Sequence, residues 1–205
     1  MIAIVNYGSG NIQAIANIYK RASIPFLIAS CPADLALADH IVLPGVGAFD
    51  QAMKELEKSG LRQAMDKAVL ADKKPILGIC VGMQILARTS EEGTASGLGW
   101  VNGLVKRFDL SALPDVAGVP HMGWNTVEPL RANPLFEGVD IDSEYYFLHS
   151  YYFCCDWPTD RLGVTMYGTS FASVVHRANI WGVQFHPEKS HDAGVRVLKN
   201  FAAVN

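Results

Sequence analysis

The pentapeptide Gly78-Ile79-Cys80-Val81-Gly82 lies between an apolar run at 75–79 and a helix-like stretch beginning at Met83, and it restricts the fold more than any other segment. A turn from strand directly into helix is so tight that glycine is needed on either side of its central residue. That residue is left projecting in a strained, exposed position. Such an elbow belongs at the end of a strand in an α/β sheet, with a helix starting where the strand stops. The plainer alternative is a buried cysteine closing a core strand.

The first ninety or so residues repeat the same alternation. Short apolar runs at 2–6, 25–29, 41–43 and 75–79 predict strands, and the segments 12–21, 49–70 and 83–89 predict helices. Apolar runs without polar alternation suit parallel strands covered on both faces. Right-handed crossovers then gather the loops at the strand C-termini, with Cys80 at one of them. From Gly97 onward the texture changes. Segments 100–101, 104–108, 119–127, 145–153 and 162–167, separated by Gly, Pro and Asn turns, predict antiparallel strands added to the sheet, and 192–203 predicts a closing helix. The expectation is one α/β domain over residues 1–205, with a mixed, mainly parallel sheet flanked by helices and antiparallel strands in the C-terminal half.

Composition excludes several classes. At 205 residues, half of them apolar, the chain suits one domain with a substantial core. A net charge of −3 and the lack of any Lys/Arg run argue against a nucleic-acid surface. No apolar stretch approaches the ~18 residues that cross a bilayer, and the N-terminus lacks a charged leader, so the expectation is a cytoplasmic protein without a membrane. Four cysteines without a C-x-x-C indicate neither a disulfide framework nor a zinc site, and the thiols are expected to be reduced. Gly8-Ser9-Gly10-Asn11 follows a strand but has Gln13 where a dinucleotide loop needs its third glycine. A turn with Asn11 as helix N-cap accounts for it without a ligand.

The chemistry of the elbow is that of a thiolate. A free cysteine near pKa 8.5 is only about 3% ionised at pH 7, whereas one lowered to about 7 is half ionised. The first turn of the following helix, with unpaired N–H groups and positive dipole end, favours that anion. Far along the chain, Gly182-Val183-Gln184-Phe185-His186-Pro187-Glu188 ends an apolar strand with a histidine and a carboxylate two residues apart. In extended chain those two side chains share a face. His186 can therefore meet Cys80 while Glu188 orients the ring, giving nucleophile, base and orienter. Each alone could be a surface residue. Acyl transfer also needs oxyanion donors. Val81 N–H is the first candidate, and Val46 in Pro44-Gly45-Val46-Gly47 is the second; a plain strand-to-helix turn would explain the latter segment equally well.

Together these segments resemble the class I, triad-type glutamine amidotransferases over essentially the whole chain. The resembling pieces are NYGSGN at 6–11, LPGVGAF at 43–49, GICVGMQ at 78–84, PHMGWN at 120–125, YFLHSY at 146–151 and GVQFHPEKS at 182–190. LPGVGAF and PHMGWN select the branch of glutaminase subunits that supply ammonia to a (βα)8-barrel cyclase. The one departure is Val81, where the family often has leucine. The resemblance implies a flavodoxin-like fold, glutamine as substrate, no cofactor or metal, and Cys80, His186 and Glu188 as the catalytic set. It further implies Gly47, Gln84, Glu92 and the backbone around His149, Ser150 and Tyr151 as the substrate pocket. The implied docking face is Met122, Trp124, Asn125, Tyr146 and Lys189. The cyclase, as the other half of a heterodimer, would make imidazole glycerol phosphate and aminoimidazole carboxamide ribotide for histidine biosynthesis. The rivals are a glutaminase subunit of another ammonia-using synthase and, outside enzymes, an interaction domain that keeps the fold without the chemistry.

Overall fold

The computed structural model describes residues 1–109, 111 and 118–204. In chain order the first elements are strand β1 (Ile2–Val5), helix α1 (Ile12–Arg21), β2 (Phe26–Ala29), the short α2 (Pro32–Ala36), β3 (His40–Gly45), α3 (Phe49–Ser59) and α4 (Arg62–Asp66). A π-helical turn at Lys67–Ala71 leads into β4 (Ile76–Cys80), the single helical turn α5 (Val81–Gln84) and the two-residue β5 (Thr89–Ser90). Then come β6 (Gly103–Arg107), β7 (His121–Thr126), β8 (Glu128–Pro129), β9 (Glu144–His149), β10 (Tyr151–Cys155), β11 (Arg161–Tyr167), β12 (Thr169–Arg177), β13 (Ile180–Val183) and α6 (His191–Phe201).

The main sheet runs β2-β1-β3-β4-β13-β12-β10-β6-β5, with β11 beside β12 and β8 beside β11. Strands β2, β1, β3, β4 and β13 are parallel to their neighbours. Strands β1 to β4 are the expected apolar runs, whereas β13, in the half expected to be antiparallel, joins them in parallel, and each residue of β1, β4 and β13 is buried. Burying one such aliphatic side chain contributes about 1.5–3 kcal/mol, so this central block fixes the sheet order. The C-terminal strand β13 inserts directly beside β4, with Gly182 opposite Gly78 and Val183 opposite Ile79. That pairing carries the segment after Val183 to the same sheet edge as Cys80.

The structure departs from the sequence reading at several elements. The helix expected over 49–70 is broken at Gly60, which adopts a left-handed φ of 73° that caps α3. The helix expected over 83–89 stops after Gln84. The carbonyls of Ile85, Leu86 and Ala87 bond instead to the N–H groups of Leu98, Val101 and Gly99. Trp100 and Val101 lie in that lacing rather than in a strand, and Trp100 Nε1 donates to Asp66 at 3.0 Å. The stretch 145–153 divides at Ser150 into β9 and β10, which belong to different sheets. Strand β9 pairs with β7 as a separate two-stranded ribbon. The long strand β12 was not anticipated, because its apolar residues are interrupted by Ser170 and Ser173. Asn11 sits at the start of α1 but makes no side-chain capping bond.

Candidate active site

The elbow forms as its glycines require. Cys80 ends β4 with φ 55° and ψ −112°, a conformation that strains any side-chain-bearing residue. A Cβ on Gly78 would lie 2.6 Å from the Gly82 carbonyl oxygen, and one on Gly82 would collide with the Leu43 carbonyl oxygen of β3. The two glycines therefore let β3, β4 and α5 close together beneath the sulfur. The expected exposure is not found: Cys80 is only 3% accessible. Its side chain lines a cavity of about 350 Å³ together with Val46, Gly47, Val81, Gln84, Glu92, Pro120, Leu148, His149, Ser150, Tyr151, His186 and Lys189. The sulfur is thus covered by loops yet opens onto a pocket of small-molecule size.

His186 and Glu188 meet as the alternation of extended chain predicts. Imidazole Nδ1 and carboxylate Oε1 are 3.0 Å apart, and both side chains are nearly inaccessible. Burial alone would depress the imidazole, but contacts with Cys80 and with Glu188 outweigh it and raise the group to about 10. His186 is held as an imidazolium at neutral pH, which is the form that stabilises a thiolate beside it. The segment is anchored to the ribbon by His186 N–H donating to the Tyr146 carbonyl at 2.9 Å. Ser190 Oγ accepts from Tyr146 N–H at 3.0 Å and donates to the His186 carbonyl at 2.6 Å.

The expected oxyanion donors differ in their state. Val81 is the first residue of α5, so its N–H has no carbonyl within the helix to bond. Val46 N–H donates to Ser9 Oγ at 3.0 Å, and Ser9 Oγ donates back to the Val46 carbonyl at 2.9 Å. One serine thus holds both sides of that residue, and the amide is directed at the Gly8-Ser9-Gly10 turn. Gly47, at φ 88°, follows it on the cavity wall.

The other expected pocket residues converge. Gln84 is 3% exposed. Its amide nitrogen donates to the Tyr151 carbonyl and to Gln184 Oε1, both at 3.0 Å. Gln184 in turn places its amide nitrogen 3.7 Å from the Cys80 sulfur. The sequence reading gave Gln184 no role, although it precedes His186 by two residues on the same extended segment. Glu92 accepts Phe49 N–H at 2.8 Å, at the N-terminus of α3, while lining the cavity. Asp50 ties down the following loop through Thr94 N–H and Ala95 N–H.

Four of the five expected docking residues share one surface. Met122 and Trp124 point outward from β7, 65% and 43% exposed, with Leu148 of β9 beside them at 39%. Trp124 stacks on His191 at 4.8 Å and meets Tyr146 edge-on, and Lys189 Nζ lies 5.3 Å from the Tyr146 ring centre. Asn125 is the exception. It alternates to the inner face of β7, where its amide nitrogen bonds to His121 and to the Met166 carbonyl.

The family model "Glutamine amidotransferase class-I" matches residues 3–204. The chain is 52% identical over 206 residues to "Imidazole glycerol phosphate synthase subunit HisH" of Bdellovibrio bacteriovorus, covering 100% of both chains. It is 45% identical over 204 residues to the protein of the same name in Leptospira interrogans, again covering 100% of both. Among solved structures, one titled "Crystal structure of glutamine amidotransferase" superposes with a TM-score of 0.74 at 19% identity, covering 100% of both chains. "Structure of PurLQS from Thermotoga maritima" matches with a TM-score of 0.68 at 16% identity over 98% of this chain and 96% of that one. At such identities these two structures speak for the fold alone.

Proposed function

Because the chain belongs to the class-I glutamine amidotransferase family, we infer that it is the glutaminase subunit of an imidazole glycerol phosphate synthase in histidine biosynthesis. The observation that carries the catalytic assignment is the strained Cys80 opening onto the same cavity as the 3.0 Å His186–Glu188 couple.

Cys80 thiolate attacks the side-chain amide carbon of glutamine, and the carbonyl oxygen takes the negative charge. Val81 N–H stabilises that oxyanion, joined by Val46 N–H once its peptide turns from Ser9. Removing one such donor elsewhere lowers kcat by about 10²–10³, so the two orientations of the Val46 peptide separate a slow enzyme from a fast one. His186 gives its proton to the departing nitrogen, which leaves as ammonia with a γ-glutamyl thioester on Cys80. Water then gives a proton to His186 and attacks the thioester carbon. Glutamate departs, and thiolate and imidazolium are restored. Glu188 keeps the imidazolium charged and aligned. Glu92 suits the substrate α-ammonium, and peptide N–H groups from Gly47 and from 149–151 suit its α-carboxylate.

The curated relatives are named as synthase subunits, and this chain accordingly works with a partner. The partner is a (βα)8-barrel cyclase in a heterodimer, which uses ammonia before neutral water protonates it. Met122, Trp124, Tyr146 and Lys189, with Leu148, form the docking face. An exposed apolar cluster next to a reaction site is the usual mark of such a surface. Asn125 supports it from the inner side of β7.

The test is Cys80→Ala in the reconstituted complex. Glutamine-dependent synthesis is abolished while synthesis from added ammonium salt persists, because only the ammonia source is lost. Loss of both would contradict the division of labour, and stimulation of wild-type glutamine hydrolysis only by a different synthase subunit would transfer the chain to another pathway.

A further inference from the structure

At the cavity wall and directly behind it lies a pair of buried histidines, His149 and His121, whose rings the reaction leaves unused. His121 and His149 face each other across β7 and β9, 3% and 6% exposed. His121 is stacked between Phe147 at 4.7 Å and Tyr167 at 4.0 Å, and Phe108 packs against His149 at 5.4 Å. An apolar ring would fill this space without the cost of burying four ring nitrogens, so the nitrogens need an account.

Their hydrogen bonds run in single file. His149 Nδ1 lies 2.8 Å from the Tyr151 carbonyl, His121 Nδ1 3.0 Å from His149 Nε2, and Asn125 Nδ2 3.2 Å from His121 Nε2. Asn125 Nδ2 also donates to the Met166 carbonyl at 3.0 Å, and Asn125 Oδ1 accepts Thr126 N–H at 2.8 Å. The direction of the file is forced. Carbonyl oxygens only accept, so His149 carries its proton on Nδ1 and leaves Nε2 bare. That nitrogen needs a donor, so His121 is also protonated on Nδ1, and its bare Nε2 accepts from Asn125. A second proton on either ring would set N–H against N–H. Burial favours the neutral forms, drawing His121 down to about 4 and His149 to about 3. At His149 the Tyr151 contact opposes this, and the charges of His121 and His186 reinforce it.

The file ends at a junction. The Tyr151 carbonyl accepts from His149 on one side and from Gln84 on the other, and Gln84 leads through Gln184 to the Cys80 sulfur. We propose that His121 is a positioning residue for glutamine: by holding His149 as a fixed donor it sets the Tyr151 carbonyl, and with it the 149–151 peptides that receive the amino-acid end of the substrate. This deepens the glutaminase reading and rests on it.

The test compares His121→Phe, which keeps the ring stack but loses the donor, with His121→Asn, whose amide restores a donor near the Nδ1 position. In the complex with the cyclase partner, His121→Phe raises KM for glutamine about 5- to 20-fold, the effect of one buried hydrogen bond, with kcat within about 2-fold. His121→Asn recovers most of the loss. Alkylation of Cys80 by chloroacetamide, which has no amino-acid end, proceeds at the wild-type rate in both. Nitrogen-15 spectra of the wild type show both rings neutral with the proton on Nδ1 between about pH 5.5 and 8. In His121→Phe the His149 Nε2 resonance moves to that of an unbonded nitrogen. An unchanged KM in folded His121→Phe, a proton on His149 Nε2, or parallel losses of KM, kcat and alkylation would each overturn the proposal. Should His121→Phe not fold, Asn125→Ala carries the same test from the far end of the file: a raised KM supports the proposal and an unchanged one overturns it. A wild-type complex that fails to hydrolyse glutamine would instead sink the functional reading, leaving the nitrogen spectra to decide the file on their own.

Discussion

Ser9→Ala releases the Val46 peptide. In the structure Ser9 Oγ accepts Val46 N–H at 3.0 Å and donates to the Val46 carbonyl at 2.9 Å, so a single hydroxyl fastens both faces of the residue. A hydrogen bond of this kind contributes about 0.5–1.5 kcal/mol net, and only the one from Val46 N–H lies on the Gly45–Val46 peptide that turns, the held carbonyl belonging to the next peptide. Because the bond exists in only one of the two peptide orientations, its loss shifts the equilibrium by that full difference. At 1.4 kcal/mol per tenfold, the population with Val46 N–H turned away from Ser9 rises about 2- to 12-fold. Glutamine hydrolysis by the isolated subunit, followed as glutamate release under saturating substrate, rises by the same factor. The fully activated complex, already turned toward the oxyanion, gains less than about 2-fold. The ratio of activated to resting rates therefore shrinks in Ser9→Ala. A resting rate that stays level or falls, in a variant with an unchanged melting temperature, would refute the latch.

Other perturbations read other parts of the site. Gly82→Ala forces a methyl against the Leu43 carbonyl and destabilises the fold by about 3 kcal/mol, measured as a lowered urea midpoint; an unaltered midpoint would mean that β3 and α5 are not held as closely as described. Trp124→Ala removes a large exposed ring from the proposed docking face and is expected to weaken binding to the partner subunit about 30-fold by titration calorimetry, leaving unfolding of the isolated chain unchanged; equal affinity would move the interface elsewhere. His186, raised to about 10 from an ordinary 6.5, contributes stability that is complete below pH 6.5 and is lost as pH climbs toward 10. The urea midpoint of the wild type consequently falls across that window more steeply than that of His186→Ala, and parallel profiles would show that the imidazole is not raised.

The parallel strands β1 to β4 were legible because continuous apolar runs leave a strand few places to go, and β1 and β4 are buried throughout, whereas the parallel insertion of β13 was not, because its partner β4 lies far earlier in the chain. The elbow and the His186–Glu188 couple were legible because each is set by neighbours in sequence: glycines at the collision points, and a spacing of two on extended chain. The errors arose where tertiary contacts overrode a local pattern. Ile85, Leu86 and Ala87 look helical, yet their carbonyls serve the passing segment 97–101. Ser150 carries no breaking signal, yet the chain changes sheets there. Ser9 and His121 went unassigned because their partners, Val46 and His149, lie 37 and 28 residues away. Asn125 was placed on the outer surface because sequence alone gave no phase for the alternation of β7.

The change of sheets at Ser150 has a mechanical meaning. The β7–β9 ribbon is fastened to the His186 segment and joined through Val127 to β8 at one end, and continues into the main sheet through residues 149–151 at the other. If it rocks as a stiff plate against the larger sheet, the rotation is shared between the Val127 link into β8 and the few dihedrals of the 149–151 junction, and the latter are also part of the cavity wall. Pressure on Met122, Trp124 or Leu148 would then reach the cavity-wall peptides at 149–151 partly as torsion, the action of a lever rather than a wire.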